Sequence, residues 1–197
     1  MFDMSIQTLN SDDSTSNTLL ERVRLHDPDA WERFVHLYGP VIYRWARNSQ
    51  LQSHDAADIT QEVFQAVSVN IIRFRHGRAG ESFRGWLRTI TANKVRDHFR
   101  RRQKDVKANN EGVNDTQVPE SVVDDEPSSS NELAHRALSL IQTEFESRTW
   151  QAFMGCAVSG RTAADMAAEL RMTVAAVHKA KSRVLHRLRR ELDGLLD

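Results

Sequence analysis

The residues of this sequence with the strongest chemical bias are cations, gathered in two stretches. Between Arg73 and Lys104 stand Arg73, Arg75, Arg78, Arg84, Arg88, Lys94, Arg96, Arg100, Arg101, Arg102 and Lys104, opposed only by Glu81 and Asp97. Between Arg171 and Arg190 no acid occurs at all. Clustered Lys and Arg bind polyanions, because neutralising phosphates releases their condensed counterions. The net charge of the whole chain is zero, so the distribution carries this reading. Asp105, Glu111, Asp115, Glu120, Asp124, Asp125, Glu126 and Glu132 lie between the two basic stretches, which implies two contacts on one polyanion separated by an acidic spacer.

Residues suited to covalent or metal chemistry are not placed to perform it. Cys156 is the only cysteine, which excludes an intrachain disulfide and a zinc site built on paired cysteines. Its neighbours Met154, Ala157 and Val158 make it a small buried hydrophobe. The eight histidines show no metal-ligand spacing such as H-E-x-x-H. Asp55 and Asp58 lie three apart on a helix pattern with no further acid to complete a metal-activating site. No catalytic residue, metal or cofactor is expected, and the chain does not read as an enzyme.

The elements that must carry the cations are helical. A chain of 197 residues holds one ordinary domain or two small ones, taking about 100 to 150 residues as the common size. Hydrophobic residues at 40% and charged residues at 27% describe an ordinary soluble protein. No apolar run approaches the roughly 18 to 20 residues that span a bilayer, and the Ser/Thr/Asn-rich start does not resemble a signal peptide. A cytoplasmic monomer with no membrane contact is the expectation. The segment from Gln103 to Asn131, with Pro119 and Pro127 among Asn, Asp, Glu and Ser, has no sustained apolar period and too little apolar surface to offset its ordering entropy.

The expected fold is therefore all-α: a disordered tail over 1–17, a first domain over 18–104, a flexible acidic linker over 105–131 and a second domain over 132–197. Thr18 with Glu21 reads as a capping box, and Asp27-Pro28 opens a second helix carrying Trp31, Phe34, Val35, Tyr38, Ile42 and Trp45, with room for a break at Gly39-Pro40. Ser53 caps a third helix whose apolar face holds Ala56, Ile59, Val63, Ala66 and Val67, leaving Asp58, Gln61, Glu62 and Gln65 on another face. A fourth helix from about Ser82 groups Phe83, Trp86, Leu87 and Ile90 on one side and spreads Arg84, Arg88, Arg96 and Arg100 over the other. Val95 and Phe99 fall among those cations, a mixture suited to phosphates and unstacked bases.

The second domain carries the most specific local pattern. Thr162 caps a short helix presenting Met166, Ala167 and Leu170, a tight turn follows at residues 171–173, and Thr173 caps a longer helix with Val177, Val184, Leu185, Leu188 and Leu192 at helical spacing. A small residue at the helix crossing, a turn four residues later and an apolar anchor at Val177 are the arithmetic of a helix-turn-helix. Its outer face would carry Thr173, Ala175, Ala176, His178, Lys179, Ser182 and Arg183.

From Leu19 to Leu192 the chain resembles the extracytoplasmic-function sigma factors of bacterial RNA polymerase. Asp58-Ile59-Thr60-Gln61-Glu62-Val63-Phe64 is similar to the family's polymerase-binding helix. Phe83-Arg84-Gly85-Trp86-Leu87-Arg88-Thr89-Ile90-Thr91-Ala92-Asn93, with Asp97 and the run 100–102, is similar to its promoter-melting helix. The resemblance implies that Asp58, Gln61, Glu62 and Gln65 bind core RNA polymerase. It implies that Arg75, Arg78, Arg84, Arg88, Asn93, Lys94, Arg96 and Arg100 hold the minus-ten element, and that the outer face of the last long helix reads the minus-thirty-five element. Promoter DNA, core polymerase and an anti-sigma factor are the partners it implies.

The chain departs from the family at two places. Arg171 stands where many members have Gly in the turn, and Lys179-Ala180 replaces their common Ser-Arg pair. Two other classes share features with this chain. A helix-turn-helix regulator would account for the second domain but not for the acid-amide helix and basic helix of the first, and would predict a palindromic site and a stable dimer. A recombinase or nuclease would need a nucleophile or clustered carboxylates that the sequence does not place together.

Overall fold

Local signals set the helix starts. Glu21 N donates to Thr18 Oγ1 at 3.3 Å and Thr18 N donates to Glu21 Oε2 at 2.8 Å, a capping box that opens α1 (Leu19–Arg24). Asp27 accepts from Ala30 N at 3.1 Å, and Pro28 occupies the first turn of α2 (Pro28–Asn48), where its missing N–H costs nothing. The remaining elements of the computed structural model are α3 (Ser53–Asn70), α4 (Phe83–Ala108), α5 (Ser128–Ile141), α6 (Ser147–Ala157), α7 (Ala163–Leu170) and α8 (Val174–Leu192), with 3-10 turns at Ile71–Arg73 and Gln142–Glu144. The structure describes residues 18–74, 82–108 and 128–195. The expected tail over 1–17 and most of the expected linker lie outside them, and helix occupies 105–108 and 128–131 at the linker's two ends.

The fold is all-α, with no strand among the described residues. No helix among them is long and apolar enough to cross a membrane. The break allowed at Gly39-Pro40 does not occur, and α2 runs through Pro40. Proline removes one backbone hydrogen bond there, while Leu37, Tyr38, Val41 and Ile42 on either side are all buried and hold both halves of the helix in the core. The third helix begins at Ser53 with Gln52 before it and no side-chain cap bond, one residue from the capping role expected of Ser53.

Three long helices build the first core. Phe34, Tyr38, Ile42 and Trp45 of α2, Ile59, Val63 and Val67 of α3, and Phe83, Leu87, Val95 and Phe99 of α4 are all buried. Each contributes about 1.5 to 3 kcal/mol by leaving water. Phe83 is the hub of the aromatic part, 5.7 Å from Phe34, 5.6 Å from Tyr38 and 5.4 Å from Phe74.

Helix α4 corrects the sequence reading. Val95 and Phe99, expected on a basic DNA-facing surface, are 0% and 6% exposed and belong to the core. The buried positions Phe83, Leu87, Thr91, Val95 and Phe99 are spaced by four, and at about 100° per residue such a row drifts about 40° with each step. A single helical wheel centred on the first two turns misplaces the far end of the row. The helix packs against both α2 and α3, and contact with two partners supports a buried stripe that winds around it.

The C-terminal helices form smaller clusters. Ala152, Met166, Ala167, Val177 and Ala180 pack together with Cys156 at their edge, and Ile141, Phe153 and Val184 form another group. Thr162 accepts from Asp165 N and Thr173 from Ala176 N, each at 3.1 Å, as the capping pattern predicts. Between α7 and α8, Arg171 adopts φ 52, ψ 48. The turn thus keeps the left-handed geometry that Gly would take freely, at a cost of roughly 1 kcal/mol or more for a side-chain-bearing residue.

The two halves pack against each other in this structure, where the sequence suggested modules joined only by a flexible tether. Leu133 and Ala137 of α5, with Leu192 and Leu195 at the end of the chain, join the core of the first half. The Tyr38 hydroxyl donates to the Leu195 carbonyl, Arg44 pairs with Glu132 and Arg33 pairs with Glu144 at 2.6 Å. An apolar centre rimmed by ion pairs is the usual anatomy of a protein interface.

Candidate nucleic-acid interface

Helix α3 presents the acid-amide face that its spacing predicts. Asp58, Gln61 and Gln65 are exposed, while Glu62 is half-buried because its carboxylate turns toward α4. Arg101 Nη2 donates to both Glu62 oxygens at 3.1 and 3.3 Å, and Lys94 Nζ lies 3.3 Å from Oε2. Burial alone would raise the Glu62 pKa; the hydrogen bonds from Arg101 and Lys94 together outweigh it and hold the carboxyl below its ordinary value. One end of the same seam holds Asp55, 3.0 Å from His54 Nε2 and 3.9 Å from His98 Nε2. Between the helices an open groove of about 410 Å³ is lined by residues including Asp55, Asp58, Glu62, His98 and Arg101.

The residues expected at the minus-ten element are distributed unevenly on α4. Asn93, Arg96 and Arg100 are exposed, with Arg96 Nη1 donating to Asn93 Oδ1 at 2.7 Å and Arg100 3.5 Å from Asp97. Arg88 is half-buried. Lys94 is half-buried and engaged by Glu62. Arg84 departs from the wheel, which put it on the outer side: it is 6% exposed. The first turns of α4 bury Phe83, Arg84 and Leu87 together, and at about 100° per residue Arg84 lies at the edge of that buried arc. Arg75 and Arg78 lie outside the described residues.

The outer face of α8 is open along its first three turns. Thr173, Ala175, His178, Lys179, Ser182 and Arg183 are exposed and Ala176 is half-buried, while Val177, Ala180 and Val184 on the inner side are buried. The inner residues anchor the helix and leave the cations of the outer face without a structural task in packing. Thr173 has a second duty as the cap of this helix.

Several residues that organise these surfaces escaped the sequence reading. Arg24 donates from Nη2 to the Phe74 carbonyl at 2.7 Å and lies 5.7 Å over its ring, fixing the chain where α3 and its 3-10 turn end. Phe74 also packs 5.1 Å from Trp86, so the ends of the Arg/Gly-rich segment are joined by aromatic contact. Arg101, read only as part of a basic run, is a partner of Glu62. No periodicity or spacing reveals such pairs, since each joins residues far apart in sequence.

The sigma-70 region 2 family model matches residues 34–105, which run from α2 through nearly all of α4. The chain is 36% identical over 73 residues to the ECF RNA polymerase sigma factor SigE of Mycolicibacterium smegmatis, covering 37% of this chain and 27% of that protein. It is 32% identical over 91 residues to the ECF sigma factor BldN of Streptomyces coelicolor, covering 46% and 34%. To the RNA polymerase sigma factor CnrH of Cupriavidus metallidurans it is 29% identical over 175 residues, covering 85% and 87%. The chain thus spans about a quarter to a third of the length of SigE and BldN and most of the length of CnrH. A solved structure of CnrH with the cytosolic domain of CnrY aligns over 90% of this chain and 96% of that chain at 22% identity, with a TM-score of 0.36, too low to establish a shared arrangement. Over residues 34–105 the chain thus matches sigma-70 region 2, and it is similar to extracytoplasmic-function sigma factors.

Proposed function

We propose that this protein binds core RNA polymerase and directs promoter-specific initiation, recognising and opening the minus-ten element with its first half and reading the minus-thirty-five element as duplex with α8. The observation that carries the reading is the presence of two outward cationic surfaces on one helical frame beside an exposed acid-amide face on α3. Asp58, Gln61 and Gln65 are available to a partner's basic and amide groups. Asn93, Arg96 and Arg100, with Arg88 beside them and Arg75 and Arg78 in the preceding segment, would hold the displaced strand. Capture of unpaired bases offsets a few kcal/mol of unstacking per base, so opening needs no ATP and no catalytic residue. On α8, Lys179 and Arg183 would contact phosphates or base edges in the major groove.

The chain acts in the cytoplasm with its polymerase in this proposal, as a monomer when free, and an anti-sigma factor is a further partner. Purified protein with core polymerase should give transcription from a defined start site and should bind isolated promoter duplex only weakly. Failure to associate with core polymerase would remove the reading, and tight binding to a palindrome without polymerase would favour a regulator instead.

A further inference from the structure

We propose that Glu62 is a positioning residue: its carboxylate ties Lys94 and Arg101 of α4 to α3, withholding both cations from nucleic acid and fixing the rotation at which α4 presents Asn93, Arg96 and Arg100. The inference deepens the reading of α4 as a nucleic-acid surface and assigns Glu62 a task different from that of its exposed neighbours Asp58, Gln61 and Gln65.

Lys94 and Arg101 are seven residues apart, about two turns or 10 Å along a helix, yet their charged ends converge on one carboxylate. A carboxylate that spans two turns of a neighbouring helix resists its rotation more than a single exposed pair would. His98 lies between them at four-and-three spacing and faces Asp55 at 3.9 Å. Asp55 and Glu62 are themselves seven apart on α3, so a polar seam of two acids and three basic side chains runs beside the apolar contact of Ile59 and Val63 with α4. On the other side of that apolar contact lies solvent, where Asn93 and Arg96 are joined at 2.7 Å. Asn93 immediately precedes Lys94, so the hold on Lys94 sets where Asn93 points.

The charge consequence follows from the same geometry. Lys94 and Arg101 are cations of α4 whose charge a carboxylate of α3 neutralises. Releasing them would add cations to the surface without adding aim. Non-specific affinity rises with every phosphate neutralised, and for single strands each such contact steepens the salt dependence by about 0.7.

The test uses the full chain without polymerase, so it stands apart from whether the protein initiates transcription. Fluorescence anisotropy with a labelled single-stranded DNA of mixed sequence is measured against salt for wild type, Glu62→Gln, Glu62→Asp and Lys94→Ala/Arg101→Ala, with and without Glu62→Gln. Glu62→Gln should bind about three- to ten-fold tighter at low salt, with a slope steeper by roughly one to two contacts. Glu62→Asp, which keeps the charge, should stay near wild type. In the Lys94→Ala/Arg101→Ala background Glu62→Gln should change nothing. A purely structural role would lower the melting temperature without steepening the slope. Wild-type DNA affinity and slope in Glu62→Gln overturn the proposal, as does an equal gain in the double-alanine background.

Discussion

Arg187 Nε donates to Glu144 Oε2 at 2.6 Å, joining the middle of α8 to the turn that follows α5. Arg33 of α2 reaches the same carboxylate at 2.6 Å, and both arginines also face Glu191, at 2.6 Å from Arg187 and 3.4 Å from Arg33. Glu191 is 3% exposed. Two acids and two arginines therefore alternate around the contact between the halves, and the alternation allows a carboxylate to be buried there at tolerable cost.

This ring predicts an acid-sensitive contact. Burial would raise the Glu144 pKa, but hydrogen bonds from Arg187 and Arg33 outweigh it and hold it below 4.5; burial likewise opposes the charge of Arg187, and its bonds to Glu144 and Glu191 raise it. A lowered carboxylate pKa contributes stability that is present above the unfolded value and is lost as pH falls through the folded value. Melting temperature measured over about pH 3 to 7 should fall at the acid end. Glu144→Gln should flatten that dependence and cost about 1 kcal/mol near neutrality, the worth of a charge-assisted bond partly screened by solvent. An unchanged profile in the variant would show that the ring contributes nothing.

Arg171 gives a prediction of the opposite sign. Its φ of 52 is a conformation that glycine adopts without steric penalty, and its side chain is exposed, so little contact is lost on removing it. Arg171→Gly should stabilise the protein by about 0.5 to 1 kcal/mol after the larger unfolded-state entropy of glycine is subtracted. Chemical denaturation reads the difference, and a destabilised variant would mean that the Arg171 side chain makes a favourable contact.

Gly155 tests the packing of α6 on α7. A Cβ built there would lie 2.3 Å from Met166 Sδ, 2.6 Å from its Cε and 3.0 Å from its Cγ, and Met166 is 3% exposed. Alanine would gain about 1 kcal/mol of helix propensity but should lose more to overpacking, for a net cost of about 1 to 2 kcal/mol. Gly155→Ala combined with Met166→Ala should cost less than the sum of the two single changes, since the pair shares one space. Strict additivity in a double-mutant cycle would separate the two positions.

These positions also show what sequence can and cannot reveal. The caps at Thr18, Asp27, Thr162 and Thr173 are local, with donor and acceptor three residues apart, and all four are present. The α3 stripe of Ala56, Ile59, Val63 and Val67 is legible because that helix keeps one face inward along its length. Helix α4 defeats the same procedure because its buried row winds between two partners, which hides Val95 and Phe99 among cations and buries Arg84. The contact between the halves is less legible still. Arg33 and Glu144 are separated by 111 positions, and only the packing of Leu133, Ala137, Leu192 and Leu195 brings them together. For the candidate site, the exposed faces of α3 and α8 follow from helical spacing, whereas the pairing of Glu62 with Lys94 and Arg101 requires the folded arrangement.

The outer face of α8 supplies the last prediction. Lys179 and Arg183 are exposed, four apart on one face, and no acid lies between Arg171 and Arg190 to neutralise them. Their removal should leave the fold intact, because the helix is anchored from its other side by Val177, Ala180 and Val184. In the complex with core polymerase, Lys179→Ala and Arg183→Ala should each weaken binding to promoter duplex and, where the lost contact is to phosphate, reduce the salt slope by about 0.9. A residue that contacts a base edge should instead cost about 1 to 3 kcal/mol on its preferred sequence and relax the preference at that position. Binding isotherms against salt, on promoters with intact and scrambled upstream elements, distinguish the two roles. If the doubly substituted protein binds both promoters as wild type does, the outer face of α8 does not read DNA.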